Sequence, residues 1–120
     1  MNGLHLCADL RGCNSAQPLM RDTEALRRLC VEAVGAAGLQ AVAECFHAFQ
    51  PAGSGITGVV LLAESHLAVH TWPEQGAVTL DVYVCNFGAD NRAKAKALLA
   101  QLQAAFAPAQ AQVQAIERGS

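Results

Sequence analysis

The residues from Val78 to Cys85 limit the fold more than any other stretch. Val78, Leu80, Val82 and Val84 point one way along this run, and Thr79, Asp81, Tyr83 and Cys85 point the other. A period of two marks a strand with one apolar and one polar face. Such a strand needs neighbours to pair with and an apolar layer over its valines. Leu4, Leu6, Ala8 and Leu10 alternate with His5, Cys7, Asp9 and Arg11, which predicts a second two-faced strand. Ile56 to Leu62 is β-prone and apolar on both faces, the pattern of a central strand. Leu67, Val69 and Thr71 alternate with His66, Ala68 and His70. Leu39 to Phe49 reads as a further strand from Val42, Phe46 and Phe49, and Gln112 to Ile116 as a last edge strand.

The covering layer is helical. From Leu19 to Ala37, apolar Leu26, Leu29, Cys30, Ala33, Val34 and Ala37 recur at three and four, after Pro18 at a helix start and before stops at Gly35 or Gly38. Asn91 to Phe106 carries a similar stripe in Ala95, Leu98, Leu99, Leu102, Ala105 and Phe106, with Asp90 as candidate N-cap and Pro108 as its end. The predicted order is β-α-β-β-β-β-α-β. Short turns between strands imply a mainly antiparallel sheet. The fold class is α+β, a two-layer sandwich with two helices on one face.

At 120 residues this is a single domain, residues 1–120, and its modest core would gain from pairing with another copy. A formal charge of −2 gives no electrostatic reason to expect nucleic acid or an anionic membrane. Five cysteines, Cys7, Cys13, Cys30, Cys45 and Cys85, make an odd count without CxxC spacing, which fits reduced thiols. Met1 to Leu10 lacks the features of a signal peptide, and no apolar run approaches the ~20 residues that span a bilayer. The expectation is a soluble, cytoplasmic protein.

Glu64-Ser65-His66-Leu67 and Val69-His70-Thr71-Trp72-Pro73-Glu74 hold more chemistry than a plain strand needs. Ser65 is either a strand-boundary serine making a local hydrogen bond or a nucleophile held against the Glu64 carbonyl. Imidazole suits proton removal near neutral pH, so His70 is the candidate base. His66 and His70 could also form a metal pair, but cysteines and carboxylates at ligand spacing are missing, and no metal is assigned. Cys85 could deliver a proton if its strand lies beside Ser65. Phe49, Trp72 and Glu74 read equally as core aromatics with a turn carboxylate, or as a ring sandwich with an acceptor for ribose hydroxyls.

These segments, with Gly3-Leu4-His5-Leu6, Phe46-His47-Ala48-Phe49 and Glu117-Arg118-Gly119, closely resemble the short prokaryotic S-adenosylmethionine decarboxylase proenzymes. The resemblance implies self-cleavage between Glu64 and Ser65 into a β chain (1–64) and an α chain (65–120). Ser65 would become a covalently bound pyruvoyl group, the cofactor that forms a Schiff base with the substrate. His70 would be the processing proton acceptor, Thr57 its support, and Cys85 the catalytic proton donor. Phe49, Trp72 and Glu74 would bind S-adenosylmethionine, whose decarboxylated product is the aminopropyl donor for spermidine. The family also implies a homodimer of processed protomers with active sites at the interface.

The sequence departs from that pattern twice. Thr57 stands where a serine is common, keeping the hydroxyl but adding a methyl group that stiffens χ1. The loop from Gln50 to Ile56 is about two residues longer than expected and borders the substrate region. Arginine or ornithine decarboxylation, an inactive regulatory subunit, and a metal-binding module using His66 and His70 are the alternative readings.

Overall fold

A computed structural model describes residues 1–119. Residue 120, the end of the expected 65–120 fragment, lies outside the described residues. Six strands form one sheet: β1 (Asn2–Arg11), β2 (Ala43–Ala48), β3 (Ile56–Leu62), β4 (Ser65–Trp72), β5 (Ala77–Cys85) and β6 (Gln110–Gly119). Their order is β2-β3-β4-β5-β1-β6, and every neighbouring pair is antiparallel. Short α1 (Pro18–Arg21) and the longer α2 (Thr23–Ala36) and α3 (Arg92–Phe106) supply the helices.

The alternation in β5 decides which face is covered. Val78, Leu80, Val82 and Val84 are buried, as are Leu4, Leu6 and Leu10 of β1 and Leu67 and Val69 of β4. Leu26, Cys30 and Val34 of α2 and Leu98, Leu102 and Phe106 of α3 join them in one core. Burying each large apolar side chain contributes about 1.5–3 kcal/mol. His5, Cys7, His66, His70, Thr79, Asp81 and Tyr83 stay half-buried on the opposite face, which carries no helix among the described residues. The expected two-layer α+β sandwich is the observed one. No helix is long and apolar enough to cross a membrane among the described residues.

The structure corrects several boundaries. The single helix expected from Leu19 to Ala37 is broken at Asp22, whose backbone is extended (φ −101°, ψ 109°). Its carboxylate accepts from the N–H groups of Glu24 and Ala25, capping α2. A cap of this kind is worth about 1 kcal/mol, and the continuous apolar stripe gives no sign of it. The strand expected from Leu39 begins at Ala43, because the Leu39 N–H returns to the Val34 carbonyl at the end of α2 (3.0 Å). It also stops before Phe49. Strand β3 keeps its expected limits but lies second from the edge, with Leu61 exposed on the open face. Strand β6 is longer than expected, since β1 offers it a full edge from Asn2 to Arg11. At α3 the N-cap position is Asn91 rather than Asp90, although the Asp90 carboxylate accepts from the Arg92 N–H (3.1 Å).

Candidate active site

The chain reverses between β3 and β4 through Ala63 and Glu64, with Leu62 opposite Ser65. Ala63 takes a positive φ of 63°, a conformation in which its Cβ is crowded. Glu64 is exposed in this turn, while Ser65, the first residue of β4, is 8% exposed. The Cys85 N–H donates to Ser65 Oγ at 3.0 Å. The contact joins the Cys85 backbone to Ser65 and follows from the antiparallel pairing of β4 with β5. Cys85 itself is buried at the end of β5, not half-open like Thr79, Asp81 and Tyr83 before it. Glu64, Ser65, Cys85, Phe87 and Asn91 are among the residues lining a cavity of about 250 Å³.

The remaining candidates gather near the other end of β4. Register places His47, Thr57, His70 and Thr79 in one row across β2, β3, β4 and β5. Thr57 Oγ1 and His70 Nδ1 share a hydrogen bond of 3.0 Å. The rings of His70 and Trp72 stack at 5.7 Å with 21° between planes, and Phe49 meets His47 edge-on at 5.8 Å. The Phe49 N–H closes the loop after β2 by donating to the Gly55 carbonyl (2.9 Å). Gly55 has φ +144°, and a Cβ there would lie 2.9 Å from the Phe49 ring and 2.6 Å from the Thr71 carbonyl oxygen. A side chain at Gly55 would therefore push the Phe49 ring away. Glu74 is exposed in the 3-10 turn Pro73–Gln75 that follows Trp72.

The candidates thus form two half-sites. Ser65 and Cys85 lie at the beginning of β4, and Thr57, His70, Trp72, Phe49 and Glu74 toward its end. Five residues of extended chain separate Ser65 from His70 by about 16 Å. A base at His70 does not reach Ser65 within one copy. The four-residue step from His66 to His70 is about 13 Å, too far for both to bind one ion.

Another cluster lies on the open face. Ligand atoms of His5, Cys7 and Asp81 all fall within 4.8 Å of one another. Arg118 Nη1 lies 3.2 Å from His5 Nδ1, and His5 Nε2 lies 3.2 Å from Asp81 Oδ1. A guanidinium can only donate, so Nδ1 accepts and Nε2 carries the proton toward Asp81. Burial, then a hydrogen bond to Asp81, raises the Cys7 thiol above its ordinary range.

Three polar residues escaped the sequence reading. Asn86 and Asn91 fasten the segment after Cys85, and Thr71, fully buried, bridges two elements. The Thr71 hydroxyl donates to the Met20 carbonyl (2.9 Å) and accepts from the Ile56 N–H (3.0 Å). Asn86 lies in the stretch between strand and helix, Asn91 is the first residue of the expected helix, and Thr71 takes an ordinary inward strand position.

A model of the S-adenosylmethionine decarboxylase family matches residues 4–119, and this chain belongs to that family. An S-adenosylmethionine decarboxylase proenzyme from Aquifex aeolicus is 47% identical over 83 residues, covering 69% of this chain and 58% of that protein. The chain therefore spans less than two thirds of that relative's length in the match. A Pyrococcus abyssi proenzyme of the same name is 36% identical over 117 residues, covering 98% of this chain and 78% of its own. The crystal structure of the Aquifex aeolicus adenosylmethionine decarboxylase superposes with a TM-score of 0.86 at 38% identity, covering 98% of this chain and 91% of the other. A Trypanosoma brucei AdoMetDC monomer shares the fold alone, at TM-score 0.59 and 13% identity over 92% of this chain and 44% of that one.

Proposed function

We propose that this protein is a self-processing decarboxylase acting on S-adenosylmethionine, with a pyruvoyl group formed from Ser65. The observation that carries the reading is the buried Ser65 hydroxyl, held by the Cys85 N–H at 3.0 Å directly after the exposed Glu64 turn. Attack of Oγ on the Glu64 carbonyl carbon breaks the Glu64–Ser65 C–N bond, frees the Ser65 amine and leaves an ester. Loss of the Ser65 α-proton then expels the Glu64 carboxylate and leaves dehydroalanine. Water replaces its nitrogen, releasing ammonia, and position 65 is left as pyruvoyl. A carbonyl oxygen there can accept the hydrogen bond that Ser65 Oγ accepts now, so the surroundings fit the group.

Once formed, the pyruvoyl carbonyl supplies an electrophile for the substrate amine and a sink for the electrons left by departing CO2. Residues of the two half-sites do the rest. The Cys85 thiol delivers a proton to the former α-carbon. Phe49 and Trp72 offer aromatic faces for adenine, and the exposed Glu74 carboxylate accepts from ribose hydroxyls. His70, oriented by Thr57, takes the proton during processing.

Because Ser65 and His70 are about 16 Å apart in one copy, we place a second copy against the uncovered sheet face. Each completed site then takes Ser65 and Cys85 from one protomer and Thr57, His70, Phe49, Trp72 and Glu74 from the other. A reducing cytoplasm keeps Cys85 a thiol, as its role requires. The product is the aminopropyl donor of polyamine synthesis. The names of the relatives favour the adenosyl substrate over arginine or ornithine.

Intact mass under denaturing, reducing conditions tests the processing step. Two fragments, 1–64 and a 65–120 piece lacking its amino nitrogen, are expected. A chain that stays whole for days refutes it. A substrate panel followed by CO2 release then tests the specificity.

A further inference from the structure

The ladder between β4 and β5 ends at the pair His66–Tyr83. Continued by two residues, the antiparallel register would set Cys85 opposite Glu64. Glu64 lies in the turn, and its backbone makes no such pair. The N–H and C=O of Cys85 on that side are instead satisfied by side chains. The N–H donates to Ser65 Oγ (3.0 Å), and the carbonyl accepts from Asn91 Nδ2 (2.9 Å).

Asn91 is itself fixed. Its N–H donates to Asn86 Oδ1 at 2.8 Å, and the Asn86 N–H donates to the Asn2 carbonyl at 2.8 Å, tying the segment to β1. Asn86 Nδ2 is buried without a hydrogen-bond partner. A buried donor left unpaired works against stability, and such groups ask for another explanation. The two asparagines form a clasp, and Asn91 reaches from it into the cavity that Ser65 and Cys85 share.

We infer that Asn91 is a positioning residue for Cys85: it fixes the carbonyl on one side of the Cys85 Cα while Ser65 Oγ holds the N–H on the other, so that the thiol between them is directed at the substrate carbon. The inference rests on the function proposed above. The choice of carbon matters chemically. A proton delivered to the former α-carbon gives the amine and restores the pyruvoyl group. A proton delivered to the carbon of residue 65 sends the substrate nitrogen the other way. Hydrolysis then leaves an alanyl residue at position 65 and an aldehyde from the decarboxylated substrate. No outside oxidant or reductant is needed, because the substrate carbon is oxidised as the pyruvoyl carbon is reduced. A loosened Cys85 makes that diversion more frequent.

The test compares wild type with Asn91→Asp and Asn91→Ala. Aspartate keeps the size and is a good residue at a helix start, but it lacks the N–H that donates to the Cys85 carbonyl. After turnover with S-adenosylmethionine, the 65–120 fragment is probed for a free N-terminal amine, which pyruvoyl lacks and alanyl has. Both variants should show about a tenfold greater share of turnovers ending in a free amine, the change expected on losing one hydrogen bond of about 1.4 kcal/mol. Thermal unfolding of both variants is read beside it, and only a variant that unfolds cooperatively is scored. Failure of a folded Asn91→Asp chain to self-cleave also supports the role, because the clasp then acts on Ser65 before processing. An unchanged free-amine share and unchanged processing in Asn91→Asp overturn the positioning role alone. A wild-type chain that is never cleaved overturns the parent function, and the positioning role with it.

Discussion

Ser65 and His70 share strand β4, five residues apart, with Ser65 on the buried side of the alternation and His70 on the half-open side. No rotamer of His70 brings its ring to the Ser65 hydroxyl across about 16 Å of extended chain. If both act in one reaction, they come from different copies. Ser65→Ala and His70→Ala, expressed separately, should each remain uncut. Expressed together they should restore cleavage, and only in the His70→Ala chain, which keeps Ser65 and borrows its partner's histidine. Fragments traced by mass decide it. Absence of cleavage in the mixture, with mixed dimers demonstrated, removes the two-copy site.

Thr57 and His70 meet at 3.0 Å, so the hydroxyl fixes the ring through Nδ1. Thr57→Val preserves the branched shape and removes that hydrogen bond. Processing should slow by about tenfold, in line with one hydrogen bond of about 1.4 kcal/mol. Thr57→Ser should process at least as fast as wild type, having the hydroxyl without the added methyl. A time course of fragment appearance reads both variants, and equal rates for Val and Thr would remove Thr57 from the mechanism.

Cys85 is tied to Ser65 through its backbone N–H, a contact that its side chain does not alter. Cys85→Ala should therefore self-cleave like wild type yet lose about 10²–10⁴-fold in turnover, the usual loss with a general acid. Single-turnover CO2 release measured beside amine formation separates the steps. Normal amine production by the processed variant would take the proton-donor role from Cys85.

The period-two runs of β1, β4 and β5 made the sheet legible, because burial of one face imposes that period directly. Local capping was harder to read. Asp22 breaks a helix whose apolar stripe continues past it, and only the N–H groups of Glu24 and Ala25 reveal why. The candidate residues of β4 could be nominated from their chemistry, but their spacing could not place them together. A five-residue separation means contact in some folds, and an extended strand turns it into distance. Asn91 was invisible for another reason: its role depends on a carbonyl at the end of a ladder, six residues earlier in the chain.

Thr71 offers a stability test away from the reaction. Its hydroxyl donates to the Met20 carbonyl and accepts from the Ile56 N–H, both in the core. Thr71→Val keeps the volume and strands both groups. Unfolding free energy should fall by about 1–3 kcal/mol. Denaturant titration of the unprocessed Ser65→Ala background reads this without interference from cleavage. A loss well below that range would mean that the two backbone groups find other partners.

Cys30, fully buried between α2 and the sheet, has its thiol pushed up to about 12, chiefly by burial and secondarily by Glu44. In the unfolded chain the same thiol ionises near its ordinary 9.0. Between those values the folded protein holds a proton that the unfolded chain has lost, so the slope of stability against pH is negative. The contribution is fully present below pH 9 and disappears as the pH approaches 12. At its steepest it amounts to about 1.4 kcal/mol per pH unit. Cys13, raised by burial, and Cys7, raised by burial and Asp81, add in the same direction. Cys30→Ala should lower stability at neutral pH by leaving a small cavity, yet flatten the alkaline decline. Unfolding free energies at a series of pH values from 8 upward compare the two slopes. Parallel curves for wild type and variant would mean that Cys30 ionises freely in the folded protein.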